Sequence, residues 1–295
     1  FARICDRAGE IHIASEEHLA DRYRKQAKRL AADIEASAWD GEWYQRATFD
    51  DGTPLGSASS LECQIDSIAQ SWAVLSGAGE PGRARQAMQS VMERLVRPEE
   101  RLILLFTPPF NEIAQDPGYI KGYLPGIREN GGQYTHAATW TAWAMARLGD
   151  GATAGKLVNL LNPVYQSDTP QKAAVYRVEP YVIAADIYSV APYIRRGGWT
   201  WYTGSGSWMY RLGMEALLGL HKEGDVLWVD PAIPPEWDGF EITYLNGKTP
   251  YHILVRNPQH VAHGVKSVRL NGAEVQGVPL MDDGGNHTVE VVLGE

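Results

Sequence analysis

The stretch His221-Lys222-Glu223-Gly224 separates two regions of the chain whose hydrophobic residues repeat with different periods. Before it, apolar residues recur at helical spacing; after it, short runs alternate apolar and polar residues as strands do. Gly224 is expected to end the last helix in the left-handed conformation. The sequence therefore predicts a mainly α region over residues 1–223 and a β-domain over residues 224–295, an order that excludes a doubly wound parallel sheet.

The predicted elements follow from these two periods and from the turn residues between them. Helices are predicted over residues 15–37, 65–76, 82–95, 136–148, 152–161, 180–187 and 207–221. Strands are predicted over residues 226–229, 240–244, 252–256, 265–270 and 288–292. Because Asn246-Gly247 and Asn271-Gly272 lie between strands as hairpin turns, we expect a C-terminal antiparallel β-sandwich.

Composition excludes several classes of protein. The 295 residues carry 27 Lys+Arg against 36 Asp+Glu, a net charge of -9, so a nucleic-acid partner is not expected. No apolar run approaches the roughly 20 residues of a membrane span, so this segment is expected to make no membrane contact. The two cysteines, Cys5 and Cys63, imply no disulfide framework and suit a reducing, cytoplasmic location. The chain has ten Trp and 14 Tyr but only five Phe, so most of its aromatic rings carry a polar group and can line a polar cleft.

A first candidate site is the loop Trp39-Asp40-Gly41-Glu42-Trp43-Tyr44-Gln45-Arg46 with Asp50-Asp51-Gly52. Aromatic faces, carboxylates and an arginine are the groups that bind a sugar. The alternative is a surface loop in which Asp50-Asp51-Gly52 is only a turn. Residue types alone favour that alternative, because aromatic-rich loops are common.

Two helix starts are suited to bind an anion. Arg128-Glu129-Asn130-Gly131-Gly132-Gln133-Tyr134-Thr135-His136 opens one predicted helix, and Thr203-Gly204-Ser205-Gly206-Ser207 opens another. Free backbone N–H groups and the helix dipole attract an oxyanion there, and His136 can donate a hydrogen bond. The alternatives are a Gly-Gly turn with an incidental histidine and a glycine-rich cap. The occurrence of two such starts in one chain favours a bound oxyanion.

Other kinds of active site find little support. The eight histidines show no metal-ligand spacing, and no Gly-x-Ser-x-Gly elbow or cysteine beside a base suggests a nucleophile. Glu179 and Asp186 would share one face of a continuous helix, but Pro180 argues against that continuity. No metal or organic cofactor is therefore expected.

The chain resembles the inverting glycoside phosphorylases of the cellobiose and chitobiose phosphorylase family, especially the C-terminal phosphorylase region of cyclic β-1,2-glucan synthases and the 1,2-β-oligoglucan phosphorylases. The resemblance extends in order over nearly the whole chain. It is carried by Trp39-Asp40-Gly41-Glu42-Trp43-Tyr44, Arg46, Asp50-Asp51-Gly52, Gln70-Ser71-Trp72, Arg128-Glu129-Asn130-Gly131-Gly132, His136, Pro180-Tyr181-Val182, Ala185-Asp186-Ile187-Tyr188 and Thr203-Gly204-Ser205-Gly206-Ser207-Trp208-Met209-Tyr210.

The resemblance implies an (α/α)6 barrel closed by a β-sandwich, and a reaction in which inorganic phosphate, as co-substrate, attacks a sugar with inversion to α-glucose 1-phosphate. It assigns the phosphate to His136, Thr203 and Gly204. It assigns contacts with the leaving sugar to Arg128 and Tyr123, and Arg46 and Asp51 are expected to line the sugar subsites with them.

One departure from the family separates this chain from a complete enzyme. The general acid of the family lies in an Asp-Trp-Asn-Asp motif that these residues lack, and the order of motifs places it before Phe1. The predicted helices are also too few for two rings of six. We therefore expect the C-terminal portion of a barrel with its β-cap, inactive alone, whose partners are an oligosaccharide, phosphate and either an N-terminal remainder or a second copy.

Two rival functions remain at this stage. One is a hydrolase that uses water and two carboxylates on the same architecture, and the other is a non-catalytic glucan-binding fragment. A cytoplasmic location is expected in each case, and the chain could be the cytoplasmic part of a larger membrane-bound synthase.

Overall fold

A computed structural model describes residues 17–201 and 203–294. The predicted helix start Ser15 and Cys5 lie outside the described residues. Within these ranges the chain forms eight α-helices: α1 Glu17–Ser37, α2 Ser67–Leu75, α3 Pro81–Arg94, α4 Thr135–Arg147, α5 Gly151–Leu161, α6 Pro163–Gln166, α7 Pro170–Tyr176 and α8 Ser205–Arg211. A π-helical turn, Leu212–Leu217, continues α8, and Gly118–Gly122 forms a 3-10 turn. None of the helices within these residues has the length and hydrophobicity needed to cross a bilayer.

Short antiparallel strand pairs hold the loops between these helices. The strands are β1 Ala47–Thr48, β2 Pro54–Leu55, β3 Ile65–Asp66, β4 Val96–Arg97, β5 Leu102–Ile103, β6 Phe106–Thr107, β7 Gln133–Tyr134 and β8 Asp186–Ile187. They pair as β1 with β2, β3 with β6, β4 with β5 and β7 with β8. Since β3 leads directly into α2 and β7 into α4, these pairs fix the positions of two helix N-termini.

Helix α4 is the centre of the helical region. It packs against α2, α5, α8 and the π turn. Its buried alanines, such as Ala138, Ala142 and Ala144, carry little side-chain volume, so neighbouring helices approach closely. Around it, the larger buried residues of the core include Met88 of α3 and Leu157 of α5. The start of α4, which carries His136, is thereby held on a rigid base.

The C-terminal region consists of two sheets that share one buried core. Its strands are β9 Leu220–Glu223, β10 Val226–Val229, β11 Gly239–Asn246, β12 Thr249–Arg256, β13 Val265–Leu270, β14 Ala273–Glu274, β15 Val278–Pro279 and β16 His287–Leu293. The strand orders are β15-β10-β9 and β11-β12-β16-β13-β14. Leu227 from the first sheet and Tyr251 and Val289 from the second belong to the same cluster. All five predicted strands are confirmed.

The prediction that this β-domain is purely antiparallel is wrong. Strands β12 and β16 run parallel, with Tyr251 opposite His287 and Arg256 opposite Val292. The last strand enters between β12 and β13, and its direction is set by the excursion through β14 and β15, which local periodicity does not reveal. The turns at Asn246-Gly247 and Asn271-Gly272 do connect paired strands, as predicted.

Two predicted helices also differ. The helix expected over residues 180–187 is absent; these residues form a turn followed by β8, because Asp186 and Ile187 pair with β7. The helix expected over residues 207–221 ends near Gly219, whose φ is +70°. Residues 220–223 then form β9, and Gly224 lies in the turn to β10 and does not end a helix.

Candidate functional site

Asn130 fixes the conformation of the long loop over residues 108–132, which lies between β6 and β7. Its side chain is fully buried. The amide oxygen accepts a hydrogen bond from the Phe110 N–H at 2.7 Å, and the amide nitrogen donates to the carbonyls of Phe110 and Tyr123 at 2.9 and 2.8 Å. Gly131, with φ +79°, passes so close to Pro109 that a Cβ would lie 2.8 Å from it. The Glu-Asn-Gly-Gly motif is therefore what positions Tyr123 and Arg128.

Tyr123 and Arg128, both predicted to contact sugar, lie together. The Arg128 guanidinium carbon lies 5.1 Å from the centre of the Tyr123 ring and 5.2 Å from that of Trp199. Both distances are typical of cation–π contacts. The rings restrict the guanidinium, while Trp199 remains 54% exposed. The cluster thus presents flat rings beside a fixed cation, as a sugar site requires.

Asp186 is the carboxylate of this cluster. Its side chain is buried, and Oδ1 accepts a hydrogen bond from the Trp199 N–H at 3.1 Å. Oδ2 is buried and has no hydrogen-bond partner, which is costly unless a ligand supplies one. Burial raises the pKa of Asp186, and the nearby Glu129 acts in the same direction, whereas Arg128 opposes it.

Asp186 was considered as sharing a helix face with Glu179 and lies in a family motif, but no site role was assigned to it. The signal that could have found its site is Gly198, because a Cβ there would lie 2.4 Å from the Asp186 carboxylate oxygens. A glycine is needed where the backbone passes directly over a buried side chain. Glu129 was also missed as a site residue. Its Oε2 is buried without a hydrogen bond and lies 3.5 Å from Arg128 Nε.

His136 lies at the start of α4 among tryptophans. Its ring centre is 4.6 Å from that of Trp140 and 5.6 Å from that of Trp208. Nε2 of His136 and Nε1 of Trp140 are both buried and have no hydrogen-bond partner. Burial lowers the pKa of His136, so the free imidazole is neutral at neutral pH and carries one N–H donor. Neither ring nitrogen therefore has its hydrogen-bonding capacity satisfied within the described residues.

Thr203 and Gly204 form the start of α8. The Thr203 hydroxyl lies 2.8 Å from that of Ser205 and accepts a hydrogen bond from the Ser205 N–H at 3.0 Å. Gly204 is the residue that caps α8, and a Cβ there would meet no atom within 4 Å. Trp208, in the first turn of α8, is the residue that contacts His136. Helix α8, which Gly204 caps, thus contacts His136 through the ring of Trp208.

Arg46 and Asp51 occupy a different environment. Arg46 forms an ion pair with the buried Asp66, which caps α2 by accepting a hydrogen bond from the Ile68 N–H at 2.7 Å. Asp51 lies in an exposed turn, where it accepts a hydrogen bond from the Thr53 N–H at 2.9 Å. Asp51 approaches the long loop at Gln115, whose side-chain nitrogen is 3.5 Å away. The turn expected at Asp50-Asp51-Gly52 is therefore present.

The two tryptophans of the first motif have structural roles. Trp43 is buried and donates its indole N–H to the carbonyls of Gly56 and Gln64. Trp39 packs edge-on against Tyr44 and beneath the guanidinium of Arg83. Both rings are engaged within the fold, whereas Trp199 is 54% exposed beside Arg128.

Trp208 also lines a cavity of about 580 Å³ between the helices and the β region. Trp72, Trp143 and Arg211 line the same cavity. Among residues 17–201 and 203–294, no group of three or more His, Cys, Asp or Glu side chains is arranged to hold a metal ion.

The chain belongs to the glycosyl hydrolase 94 superfamily, because the model of its catalytic domain matches residues 1–219. It is 48% identical to the cyclic beta-(1,2)-glucan synthase NdvB of Rhizobium meliloti over 246 residues. This aligned stretch covers 83% of this chain and 9% of that protein. It is 35% identical to the N,N'-diacetylchitobiose phosphorylase of Vibrio proteolyticus over 277 residues. This second aligned stretch covers 92% of this chain and 34% of that protein.

A third relative is the 1,2-beta-oligoglucan phosphorylase of Listeria innocua, 26% identical over 166 residues, 50% of this chain and 15% of that protein. The chain therefore spans about a third or less of each of these relatives. The family resemblance seen in the motifs is confirmed.

Proposed function

We propose that this chain is the C-terminal portion of a glycoside phosphorylase, comprising part of an (α/α)6 barrel over residues 1–219 and a β-sandwich cap over residues 220–295, because β9 pairs with β10 and not with the helices. The reaction is the phosphorolysis of β-1,2-linked glucan oligosaccharides with inversion to α-glucose 1-phosphate. The observation that carries this proposal is the unpartnered Nε2 of His136. The centre of the His136 ring lies 5.6 Å from that of Trp208, in the helix that starts at Thr203-Gly204.

In this proposal His136, Thr203 and Gly204 bind phosphate. The neutral imidazole donates its N–H to one phosphate oxygen, and the start of α8 contributes backbone N–H groups and a hydroxyl. Phosphate is already an anion, so its attack on the anomeric carbon needs no general base. No cofactor is required.

Sugar binding falls to the cluster around Arg128. Tyr123 and Trp199 offer ring faces, while Arg128 donates to hydroxyl groups, and the free Oδ2 of Asp186 accepts from one of them. Arg46 and Asp51 contribute at the far end of the long loop, which Asp51 meets at Gln115. The general acid would come from an Asp-Trp-Asn-Asp motif outside this chain. The chain alone is therefore expected to be inactive.

The β-1,2 linkage is supported by the relatives. The 48% identity is to a protein named as a cyclic beta-(1,2)-glucan synthase, and a further relative is named as a 1,2-beta-oligoglucan phosphorylase. The other partners proposed are an N-terminal remainder of the same protein or a second copy. The proposed location is the cytoplasm, including the cytoplasmic part of a larger synthase.

His136→Ala tests the proposed phosphate site. In a polypeptide extended upstream through the acid motif, the KM for phosphate should rise about 10- to 100-fold, the loss of one hydrogen bond to a charged group. The KM for oligosaccharide should change little. Release of glucose 1-phosphate from β-1,2-glucan oligosaccharides, followed while phosphate is varied, gives both constants. The matched control is His252→Ala, an exposed histidine of β12.

Two outcomes would contradict the proposal. Equal effects of His136→Ala on phosphate and on sugar would remove His136 from the phosphate site. Turnover that is indifferent to phosphate would instead establish the hydrolase.

The absent acid motif favours a second candidate for the isolated chain, a non-catalytic glucan-binding role. This role predicts saturable oligosaccharide binding with no glucose 1-phosphate formed.

A further inference from the structure

Trp201 and Tyr181 form an exposed aromatic pair outside the site described above. Their ring centres are 6.1 Å apart with the planes at 65°, and their side chains are 67% and 72% exposed. The Trp201 indole N–H donates to Glu179 Oε1 at 3.0 Å. Trp201 has φ +64°, a left-handed conformation that is costly for a bulky residue. The hydrogen bond to Glu179 thus holds the Trp201 ring in solvent, although the backbone conformation of this residue is costly.

This pair continues the sugar cluster along the same two chain segments. The Ala185 N–H donates to the Trp199 carbonyl at 2.6 Å, and the Gly198 N–H donates to the Asp186 carbonyl at 2.8 Å. The segment before Asp186 therefore runs beside the segment after Trp199. Trp199 and Trp201 are two residues apart, so their Cα atoms are separated by at most about 7 Å. One ring contacts Arg128, and the next contacts Tyr181.

The chemistry of the pair fits a sugar unit. Two tilted rings offer flat apolar faces to the C–H surface of a pyranose, and the second oxygen of Glu179 can accept from a hydroxyl group. Exposed rings beside a carboxylate are poorly suited to a nucleic acid, and the net charge of -9 opposes one as well. A neutral, hydroxyl-rich ligand satisfies both the rings and the carboxylate.

We propose that Trp201, Tyr181 and Glu179 form an additional subsite that binds a further glucose unit of the β-glucan chain, beyond the sugar held at Tyr123 and Arg128. This inference rests on the proposed function, because it extends the same sugar-binding site. The subsite makes affinity depend on oligosaccharide length.

The test is calorimetric titration of the 295-residue chain with linear β-1,2-linked glucose oligosaccharides of increasing length, from the disaccharide upward. The wild-type chain should bind longer oligosaccharides more tightly than the disaccharide. Trp201→Ala should weaken binding of the longer oligosaccharides about tenfold, as expected for a ring that packs on a ligand, and leave the disaccharide unchanged. Trp237→Ala is the matched control, since Trp237 is 41% exposed in the β region.

Tyr181→Ala and Glu179→Gln keep the test valid even where loss of Trp201 disturbs folding, because both side chains are on the surface. Each should reduce the length dependence. Three results would overturn the subsite. The variants could weaken binding equally at every oligosaccharide length, the variants could leave binding unchanged at every length, or the wild-type chain could fail to bind at millimolar oligosaccharide. These results are independent of glucose 1-phosphate formation, so a failure of the subsite and a failure of the phosphorylase proposal can be told apart.

Discussion

Asp186 is the residue at which folding and function compete. Its carboxyl is removed from water, yet only one of its oxygens is hydrogen-bonded. Such a group lowers the stability of the ligand-free fold once it is ionised, because burial penalises the charge. Binding sites often keep a buried polar group that lowers the stability of the free protein, where a bound ligand completes its hydrogen bonds.

The stability of the protein should therefore depend on the charge of Asp186. Because its pKa in the fold is raised above 3.8, this carboxyl contributes stability that is present below about pH 4 and is lost as pH rises through the raised pKa. Asp186→Asn does not titrate. The free energy of unfolding of Asp186→Asn, measured with denaturant between about pH 4 and about pH 7, should rise relative to wild type as pH increases.

Asp51→Asn provides a control of opposite sign. Hydrogen bonds from Thr53 lower the pKa of the exposed Asp51, so its contribution is present above pH 3.8 and is lost as pH falls. Relative to wild type, Asp51→Asn should become less stable as pH rises from about 2 to about 4, and the difference should stay nearly constant above that range. Parallel pH profiles for the two variants would refute the assignment of Asp186 as a buried carboxyl under strain.

At the scale of elements, the junction between the last helix and the β region depends on one glycine. Gly219 has φ +70°, and a Cβ there would lie 2.1 Å from the carbonyl carbon of Asp230. Its carbonyl accepts a hydrogen bond from the Asp230 N–H at 2.9 Å. The backbone conformation and this close approach both require glycine at the position where the π turn ends and β9 begins.

Gly219→Ala should reduce the free energy of unfolding by about 3 kcal/mol or more, since the clash is with backbone and cannot be relieved by a side-chain rotation. Denaturant unfolding of both variants measures the effect. The matched control, Gly213→Ala, lies in the π turn with no atom within 4 Å of the added Cβ. It should be neutral or stabilising by up to about 1 kcal/mol. Equal effects at both positions would contradict this account of the junction.

At the scale of the whole molecule, the helical and β regions are joined through close backbone packing at the start of α5. A Cβ on Gly151 would lie 2.4 Å from the Ile233 carbonyl oxygen and 2.6 Å from that of Ala262. Those two residues are themselves hydrogen-bonded, with the Ile233 N–H donating to the Ala262 carbonyl at 3.0 Å. The contact fixes the β region against the helices that carry His136.

Gly151→Ala should therefore loosen both regions at once. We expect a loss of roughly 2–4 kcal/mol in unfolding free energy, together with faster amide exchange in α5 and near Ile233. Hydrogen exchange read by mass spectrometry locates the change. Gly122→Ala, where the added Cβ meets no atom within 4 Å, is the control. Faster exchange confined to α5 would show that the two regions are not coupled through this contact.

Local patterns were sufficient for five strands of the β region and for most of the predicted helices, but not for the short strands β1–β8 or for β9, β14 and β15. Alternating runs and Asn-Gly pairs located every predicted strand of the β region, because side-chain period and turn chemistry are properties of neighbouring residues. They failed over residues 180–187, where pairing with β7, about fifty residues earlier in the chain, overrides a helical pattern. They also misplaced the end of the last helix, since Gly219 is required by contact with Asp230.

The candidate site divides in the same way. The anion segments at His136 and Thr203-Gly204 were predicted from residue types and family motifs, and sugar contacts at Tyr123 and Arg128 were predicted from the family resemblance. Trp208 and Asp186 lie in family motifs, but the contact of Trp208 with His136 and the burial of the Asp186 carboxyl were not predicted. A ring's neighbours and a carboxyl's burial depend on residues far away in the sequence.

The amino-acid sequence by itself determined the division into a helical and a β region, the net negative charge and the family, because periodicity, charge and motifs are properties of neighbouring residues. Only the tertiary structure decided which of those motifs meet. It placed His136 against Trp208, left an oxygen of Asp186 without a partner, and exposed Trp201 beside Tyr181. Burial and contact are non-local quantities, set by how distant segments pack, and the chemistry of a site depends on them.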